Sequence, residues 1–146
     1  MTAPLYTRDI LRLAASIPHL GRLPDAEGSA EKRAPVCGSR VVVDLVLDNE
    51  GRVAALGQEV SACAFGQASA ALMGANVIGR SPTELAEARD ALSAWLTGMR
   101  DDFGAWPGLD ILAPARRLSA RHGAILLPFQ AVAEAAALAA RATVRP

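Results

Sequence analysis

The segment at residues 41–62 constrains the fold most, because it has the pattern of two strands joined by a tight turn. Residues 41–48 are rich in β-branched side chains, and Asp44 lies on the face opposite Val43 and Leu45. Residues 49–51 form a turn in which Gly51 suits a positive φ, and residues 52–62 form the returning strand. The sequence therefore predicts an antiparallel hairpin.

From about residue 64 the pattern changes to a helical period. Helices are predicted at 64–78, from Pro82 to about residue 99, and at 121–142, with a kink or a start near Pro128. Ser81 and Glu84 form a capping box with Pro82 at the first helical position. A helix at 4–15 precedes the hairpin, a short edge strand is expected near residues 31–34, and a short helix near 109–113. Segregated strands and helices predict an α+β fold with a small antiparallel sheet packed against helices.

Length and composition exclude several classes of protein. The chain has 146 residues, which fits one domain at 1–146. Its 15 basic and 15 acidic residues give no net charge, so nucleic acid and membrane surfaces are not expected partners. No uninterrupted apolar run approaches about 20 residues, and the first residues do not resemble a signal peptide, so a cytoplasmic protein is expected. Two cysteines exclude a disulfide-rich scaffold and a site of four thiolates within one chain.

The two cysteines are the main candidate functional residues. Cys37 lies in the Pro35–Gly38 loop that enters the first long strand, and Cys63 lies where the second strand ends and a helix begins. Because the hairpin is antiparallel, both cysteines arrive at the same end of the sheet. A thiol at a helix N-terminus faces the positive end of the helix dipole, which favours the nucleophilic and metal-binding thiolate. Two ordinary buried cysteines remain the alternative interpretation.

The remaining chemistry-bearing residues have simple interpretations on the sequence alone. His122, near the start of the last helix, is a surface or capping residue or a ligand, and His19 is expected to pack within a loop. The group Arg116, Arg117 and Arg121 is a solvated face or a contact with an acidic partner. Three aromatic residues are assigned to the core: Trp95, Trp106 and Phe129.

Three motifs in order resemble the U-type iron–sulfur cluster assembly scaffolds, the family of IscU, SufU and the N-terminal domain of NifU. Residues 17–21, Ile-Pro-His-Leu-Gly, are similar to the family's Asn-Pro-Arg-Asn-x-Gly, and residues 35–38, Pro-Val-Cys-Gly, to its Pro-x-Cys-Gly-Asp. Residues 62–71 resemble Gly-Cys-x-x-x-x-Ala-Ser-Ala/Ser-Ser and run without gaps into Gly79–Ser81. The stretch 98–121 is closer to the SufU branch.

The resemblance implies an α+β fold and a non-enzymatic assembly role, with a transient iron–sulfur cluster or zinc held by three cysteines and one aspartate. The first two ligand positions are Cys37 and Cys63, the aspartate position is Ser39, and the third cysteine position is Ala124. Ser39 and His122 are further candidate metal ligands. The resemblance also implies a cysteine desulfurase and recipient apo-proteins as partners, and the sequence leaves a homo-oligomer open.

Three hypotheses follow from the sequence. The first is an iron–sulfur assembly protein that binds or passes iron and sulfur through Cys37 and Cys63. The second is a degenerate paralogue without metal, acting as a protein-binding or regulatory module through the Arg116, Arg117 and Arg121 face. The third is a thiol-based redox protein in which the two cysteines cycle to a disulfide.

Overall fold

The computed structural model describes residues 7–35 and 38–143, and Cys37 therefore lies outside the described residues. The α+β class is confirmed. In chain order the elements are α1 (Arg8–Ala14), β1 (Gly28–Arg33), β2 (Arg40–Leu47), β3 (Val53–Ser61), α2 (Ala64–Asn76), α3 (Pro82–Leu96), a 3-10 helix (Leu109–Ala115) and α4 (Ser119–Thr143).

The sheet has three antiparallel strands in the order β1-β2-β3, so the predicted hairpin supplies its centre and one edge. The turn is confirmed, with Gly51 at φ +77. The predicted edge strand exists but begins earlier than residue 31, at Gly28. A Cβ at Gly28 would collide with the backbone carbonyl of Ala135, so a glycine here lets α4 lie directly on the strand.

The helix ends differ from the sequence prediction by a few residues, for local reasons. Thr7 is extended and its hydroxyl accepts a hydrogen bond from the Ile10 N–H, so α1 begins at Arg8 rather than running through residue 7. The capping box of Ser81 and Glu84 is confirmed. Helix α3 ends at Leu96 instead of about residue 99, because Gly98 adopts a φ of +82.

The second half of the chain follows the predicted order of helices with shifted boundaries. Helix α2 ends at Asn76, two residues before the predicted end, and the short helix is a 3-10 helix that extends to Ala115. Helix α4 begins at Ser119 and continues through Pro128, so the alternative start near Pro128 is wrong. Pro128 has no N–H to donate to the carbonyl of Ala124 one turn earlier.

Helix α4 is the centre of the core. It packs against β1, β2, α2 and α3, and its inward face is largely alanine, which permits close approach. By length and hydropathy alone Ser119–Ala142 would suffice to cross a bilayer, but 61% of its most apolar window is buried inside the protein. The packing identifies α4 as a core helix.

The predicted aromatic core is confirmed. Trp95, Trp106 and Phe129 are each no more than 4% exposed. Trp106 meets Phe129 edge to face with ring centroids 5.3 Å apart, and its indole N–H donates to the Leu72 carbonyl at 2.9 Å. This packing fixes the 3-10 helix and the loop before it against α2 and α4.

Candidate functional site

The hairpin register brings the loop before β2 beside the chain after β3, as the sequence predicted. Arg40 pairs with Ser61, so Ser39 lies next to the Ala62–Cys63 segment in the extension of the sheet. Two backbone hydrogen bonds join Ala34 to the residues just before β2. The Gly38 N–H donates to the Ala34 carbonyl at 3.0 Å. The Ala34 N–H donates to the Ser39 carbonyl at 2.9 Å, and Gly38 has a φ of +70.

Cys63 is the N-cap residue of α2, and its thiol is free and half-buried. The side chain makes no capping hydrogen bond, although serine, threonine or aspartate would normally do so at this position. Its carbonyl accepts from the Gln67 N–H, and the Gln67 side chain donates to the Ala62 carbonyl. The backbone around the thiol is therefore fixed while the residue stays partly exposed.

The start of α4 completes this end of the fold. A Cβ placed on Gly66, one turn into α2, would lie 2.7 Å from Ala62 Cβ, 3.3 Å from Ala124 Cβ and 3.2 Å from the Ala124 carbonyl oxygen. A Cβ on Gly123 would meet Ala34 Cβ at 3.5 Å. The β2 entry loop, the first turn of α2 and the first turns of α4 thus converge. We call Ser39, Cys63, Gly66 and Ala124 together the ligand edge.

Ala124 and Ser39 are both enclosed at the ligand edge. Ala124 is 0% exposed and Ser39 is 3% exposed. Nearby, the Ser69 hydroxyl donates to the Ile125 carbonyl at 2.6 Å and joins α2 to α4. The position where a third cysteine is implied is therefore a packed helix–helix contact.

His122 is committed to the backbone of the preceding turn. Its Nε2 lies 3.1 Å from the Ala115 carbonyl oxygen and 2.8 Å from that of Arg116. Carbonyl oxygens only accept hydrogen bonds, so Nε2 carries the proton and Nδ1 is the nitrogen left for any other partner. The side chain joins the 3-10 helix to α4, which favours the capping interpretation.

A second buried polar cluster, absent from the sequence prediction, lies on the outer face of the sheet. Asp44 is 1% exposed and accepts from Arg22 Nε at 2.6 Å, Arg22 Nη2 at 3.1 Å, the Leu23 N–H at 3.0 Å and the Ser29 hydroxyl at 2.6 Å. Burial by itself raises the pKa of Asp44, but these hydrogen bonds outweigh it, and the pKa lies below its ordinary value. We call Arg22, Leu23, Ser29 and Asp44 the Asp44 clamp.

The segment that carries the first motif is attached to β3 by Gln58. The Gln58 N–H donates to the His19 carbonyl, its carbonyl accepts from the Gly21 N–H, and its side chain donates to the Pro18 carbonyl at 3.0 Å. The prediction that His19 packs within the loop is wrong: its side chain is exposed, and the residue adopts a φ of +62. The loop is held by its backbone, and Leu20 is left 63% exposed.

Comparison with known proteins decides the family. The crystal structure of the N-terminal part of a nitrogen-fixing NifU-like protein from Brucella abortus is 34% identical, covers 94% of this chain and 95% of that chain, and gives a TM-score of 0.84. The chain belongs to the NifU-like N-terminal family. The predicted resemblance to U-type scaffolds is thereby confirmed. No family model matches the chain, and no curated protein sequence does.

Two further solved structures share the fold. A protein from Fervidobacterium islandicum, described as an iron–sulfur cluster assembly scaffold for the SUF system, is 22% identical, covers 90% of this chain and 96% of that chain, and has a TM-score of 0.79. A hypothetical protein is 21% identical, covers 88% and 94%, and has a TM-score of 0.71. The similar structures thus include a NifU-like and a SufU protein, the two kinds of protein that the sequence motifs resemble.

The residues of this NifU-like chain do not fit a complete four-ligand metal centre. Ala124 has no donor atom, Ser39 is a buried hydroxyl, and His122 uses Nε2 elsewhere. Within residues 7–35 and 38–143, no three His, Cys, Asp or Glu side chains lie close enough together to hold a metal ion. Zinc and iron–sulfur centres take four ligands, and of the positions that the resemblance implies only Cys37 and Cys63 carry a thiol, with His122 Nδ1 as the further candidate donor.

The arginine group does not act as one surface. Arg116 donates from Nε to the Trp95 carbonyl at 3.0 Å, and its guanidinium lies 4.9 Å from the centre of the Trp95 ring. Arg116 is thus an internal bridge between the 3-10 helix and α3. Arg117 is exposed and Arg121 is partly exposed, so these two remain for a partner.

Proposed function

We propose that this chain is an iron–sulfur cluster assembly protein that handles sulfur or iron through Cys37 and Cys63. The observation that carries the proposal is the free, half-buried Cys63 thiol at the N-terminus of α2, at the edge where three elements meet. The family membership and the description of a related fold as an assembly scaffold support it. The expectation that the protein is not an enzyme agrees with that description.

The chemistry proposed for Cys63 is acceptance of sulfur from a cysteine desulfurase. The Cys63 thiolate attacks the terminal sulfur of the desulfurase's persulfide, a new S–S bond forms on Cys63, and the desulfurase thiolate leaves. Cys37, 26 residues earlier on the other side of the hairpin, is the candidate second thiol for sulfur or a transient iron ion. The implied partners are the desulfurase and recipient apo-proteins in the cytoplasm, and net neutrality gives no support to a nucleic-acid partner.

Anaerobic incubation with a cysteine desulfurase, L-cysteine and ferrous iron tests this function. We expect an added sulfur atom on Cys63 or Cys37 by mass spectrometry of the intact chain and of its peptides. Cys63→Ser and Cys37→Ser serve as matched variants, and the double variant should acquire nothing. A wild-type chain that forms no complex with any desulfurase tested, gains no sulfur and takes up no iron would contradict the proposal.

The second candidate is a protein-binding module without metal, favoured by the packed Ala124 and the buried Ser39. Arg117 and Arg121 would then carry the contact with an acidic partner. Pull-down with assembly proteins separates the candidates: Arg117→Glu with Arg121→Glu should abolish binding, while Cys37→Ser with Cys63→Ser should leave it intact. The reverse pattern would favour the thiol-based function. The disulfide-cycling hypothesis stays a prediction, to be decided by whether both thiols remain free under mild oxidant.

A further inference from the structure

We infer that this chain does not retain a metal ion or cluster with its own side chains, and that it has lost the donor atoms while keeping the backbone frame that would position them. The inference deepens the proposed function and rests on it: the chain would carry sulfur or iron only transiently, or with a ligand from a partner.

The loss of donors is specific at each position. At 124 a methyl group fills a fully buried contact with Gly66. At 39 a small hydroxyl replaces a carboxylate in a 3% exposed environment, where a carboxylate without a cation would be strongly unfavourable. At 122 the imidazole Nε2 donates to two backbone carbonyls and joins the 3-10 helix to α4, so Nδ1 is the single donor left there, too few to complete a site with two thiols. The residues at 39 and 124 suit an edge with no metal charge to compensate.

The backbone frame that would position these donor atoms, by contrast, is intact. The Arg40–Ser61 pair sets the position of residue 39 against the start of α2. Gly66 lies in the first turn of α2, which Cys63 caps, and the Ala124 Cβ lies within van der Waals reach of Gly66. The carbonyl of Ala124, freed from its helical bond by Pro128, faces the same glycine. A side chain longer than alanine at 124 would therefore meet the first turn of α2, the turn that Cys63 caps.

The frame predicts that two substitutions recreate a metal site. Ser39→Asp with Ala124→Cys would add a carboxylate and a third thiol to the ligand edge that carries Cys63, and the chain's other cysteine supplies the fourth donor by composition. The matched control is Ala131→Cys, which introduces the same fully buried thiol on the same face of α4 two turns away, about 10 Å along the axis. Cys63→Ser in the double-variant background removes the central ligand.

The experiment measures zinc per folded chain after anaerobic purification, equilibration with zinc and desalting. Cobalt(II) is used as a second probe because its absorption reports thiolate ligands. We expect less than about 0.1 zinc per wild-type or Ala131→Cys chain and about one per Ser39→Asp/Ala124→Cys chain, since tetrahedral structural sites bind zinc tightly. Uptake should be lost with Cys63→Ser.

Two results would overturn the inference. A wild-type chain that keeps about one zinc or one cluster after desalting would show that the donor set is sufficient. A folded double variant that takes up no more zinc than Ala131→Cys would show that the frame is not preserved. If the buried carboxylate prevents folding, Ala124→Cys alone decides the second point, with three thiols and the same requirement for Cys63. The desulfurase experiment reads out sulfur added to Cys63 or Cys37 by mass spectrometry and not zinc content, so its failure is distinguishable from either result.

Discussion

The ligand edge and the Asp44 clamp are two buried regions beside one small sheet. They differ in whether a buried charge is kept and compensated. In the clamp a carboxylate is kept at 1% exposure because Arg22, Ser29 and the Leu23 N–H satisfy it. At the ligand edge, Ser39 and Ala124 occupy the positions where the family resemblance implies a carboxylate and a thiolate, and both residues are uncharged and buried. The difference teaches that, in the described part of the chain, the buried carboxylate is one whose charge neighbouring groups compensate.

The largest expected effect comes from removing the clamp. Asp44→Ala should lower the free energy of unfolding by about 2–4 kcal/mol, because it removes charge-assisted hydrogen bonds that tie the 22–23 segment and β1 to β2. Denaturation in urea measures the loss. Asp25→Ala, at an exposed position in the same loop, is the control and should change stability by less than about 0.5 kcal/mol. Equal losses in the two variants would mean that the clamp is not a stabilising unit.

Next in size is the substitution of Gly66 by alanine at the ligand edge. The added methyl would lie 2.7 Å from Ala62 Cβ and 3.3 Å from Ala124 Cβ, so Ala62 must move and the contact with α4 must give by a few tenths of an ångström. Overpacking of this kind costs about 1–3 kcal/mol, despite the better helix propensity of alanine. The measurement is again urea denaturation. An unchanged or raised stability would contradict the tight contact at position 124.

The sequence predicts where the ligand edge lies better than it predicts how its residues are packed and buried. The hairpin, the start of α2 at residue 64 and the approach of the loop before β2 to the chain after β3 follow from local strand and helix patterns and from antiparallel pairing. The burial of Ala124 depends on how α4 crosses α2, a contact between Gly66 and Ala124 that no local pattern contains. The resemblance to the family supplied that position instead.

The sequence does not predict the Asp44 clamp for the same physical reason, since it depends on contacts between residues far apart in the chain. Asp44 alternates with aliphatic residues as a solvent-facing side chain would, and its partner Arg22 lies 22 residues earlier in an irregular segment. Only the path of residues 19–23 across the sheet covers Asp44, and that path is set by Gln58. The capping box of Ser81 and Glu84 was predicted correctly because these residues interact within one turn.

A smaller effect is expected from pH. Because the pKa of Asp44 is below its ordinary value in the folded chain, its contribution to stability is present above about pH 3.9, the pKa in an unfolded chain. That contribution is lost as pH falls through the lower folded pKa. The difference in unfolding free energy between wild type and Asp44→Asn should therefore be constant near neutrality and shrink below about pH 4. A difference that grows on acidification would have the wrong sign for the clamp.

The smallest effect is expected at Gly123, beside Ala124 on α4. A Cβ there meets only Ala34 Cβ at 3.5 Å, an ordinary contact, so the helix-propensity gain should dominate. Gly123→Ala should raise the free energy of unfolding by about 0.5–1 kcal/mol, opposite in sign to Gly66→Ala. Destabilisation by both substitutions would mean that the whole start of α4, and not only its contact with Gly66, is tightly packed.

The most direct test of the central claim is the thermal unfolding midpoint of the reduced wild-type chain across a series of zinc concentrations. A resident site occupied at a hundredfold excess over its dissociation constant would add about 2.7 kcal/mol, or roughly 8 °C for a chain of this size. The account predicts a midpoint that does not rise with zinc in wild type and rises in Ser39→Asp/Ala124→Cys. A wild-type midpoint that climbs with the logarithm of zinc concentration would contradict it.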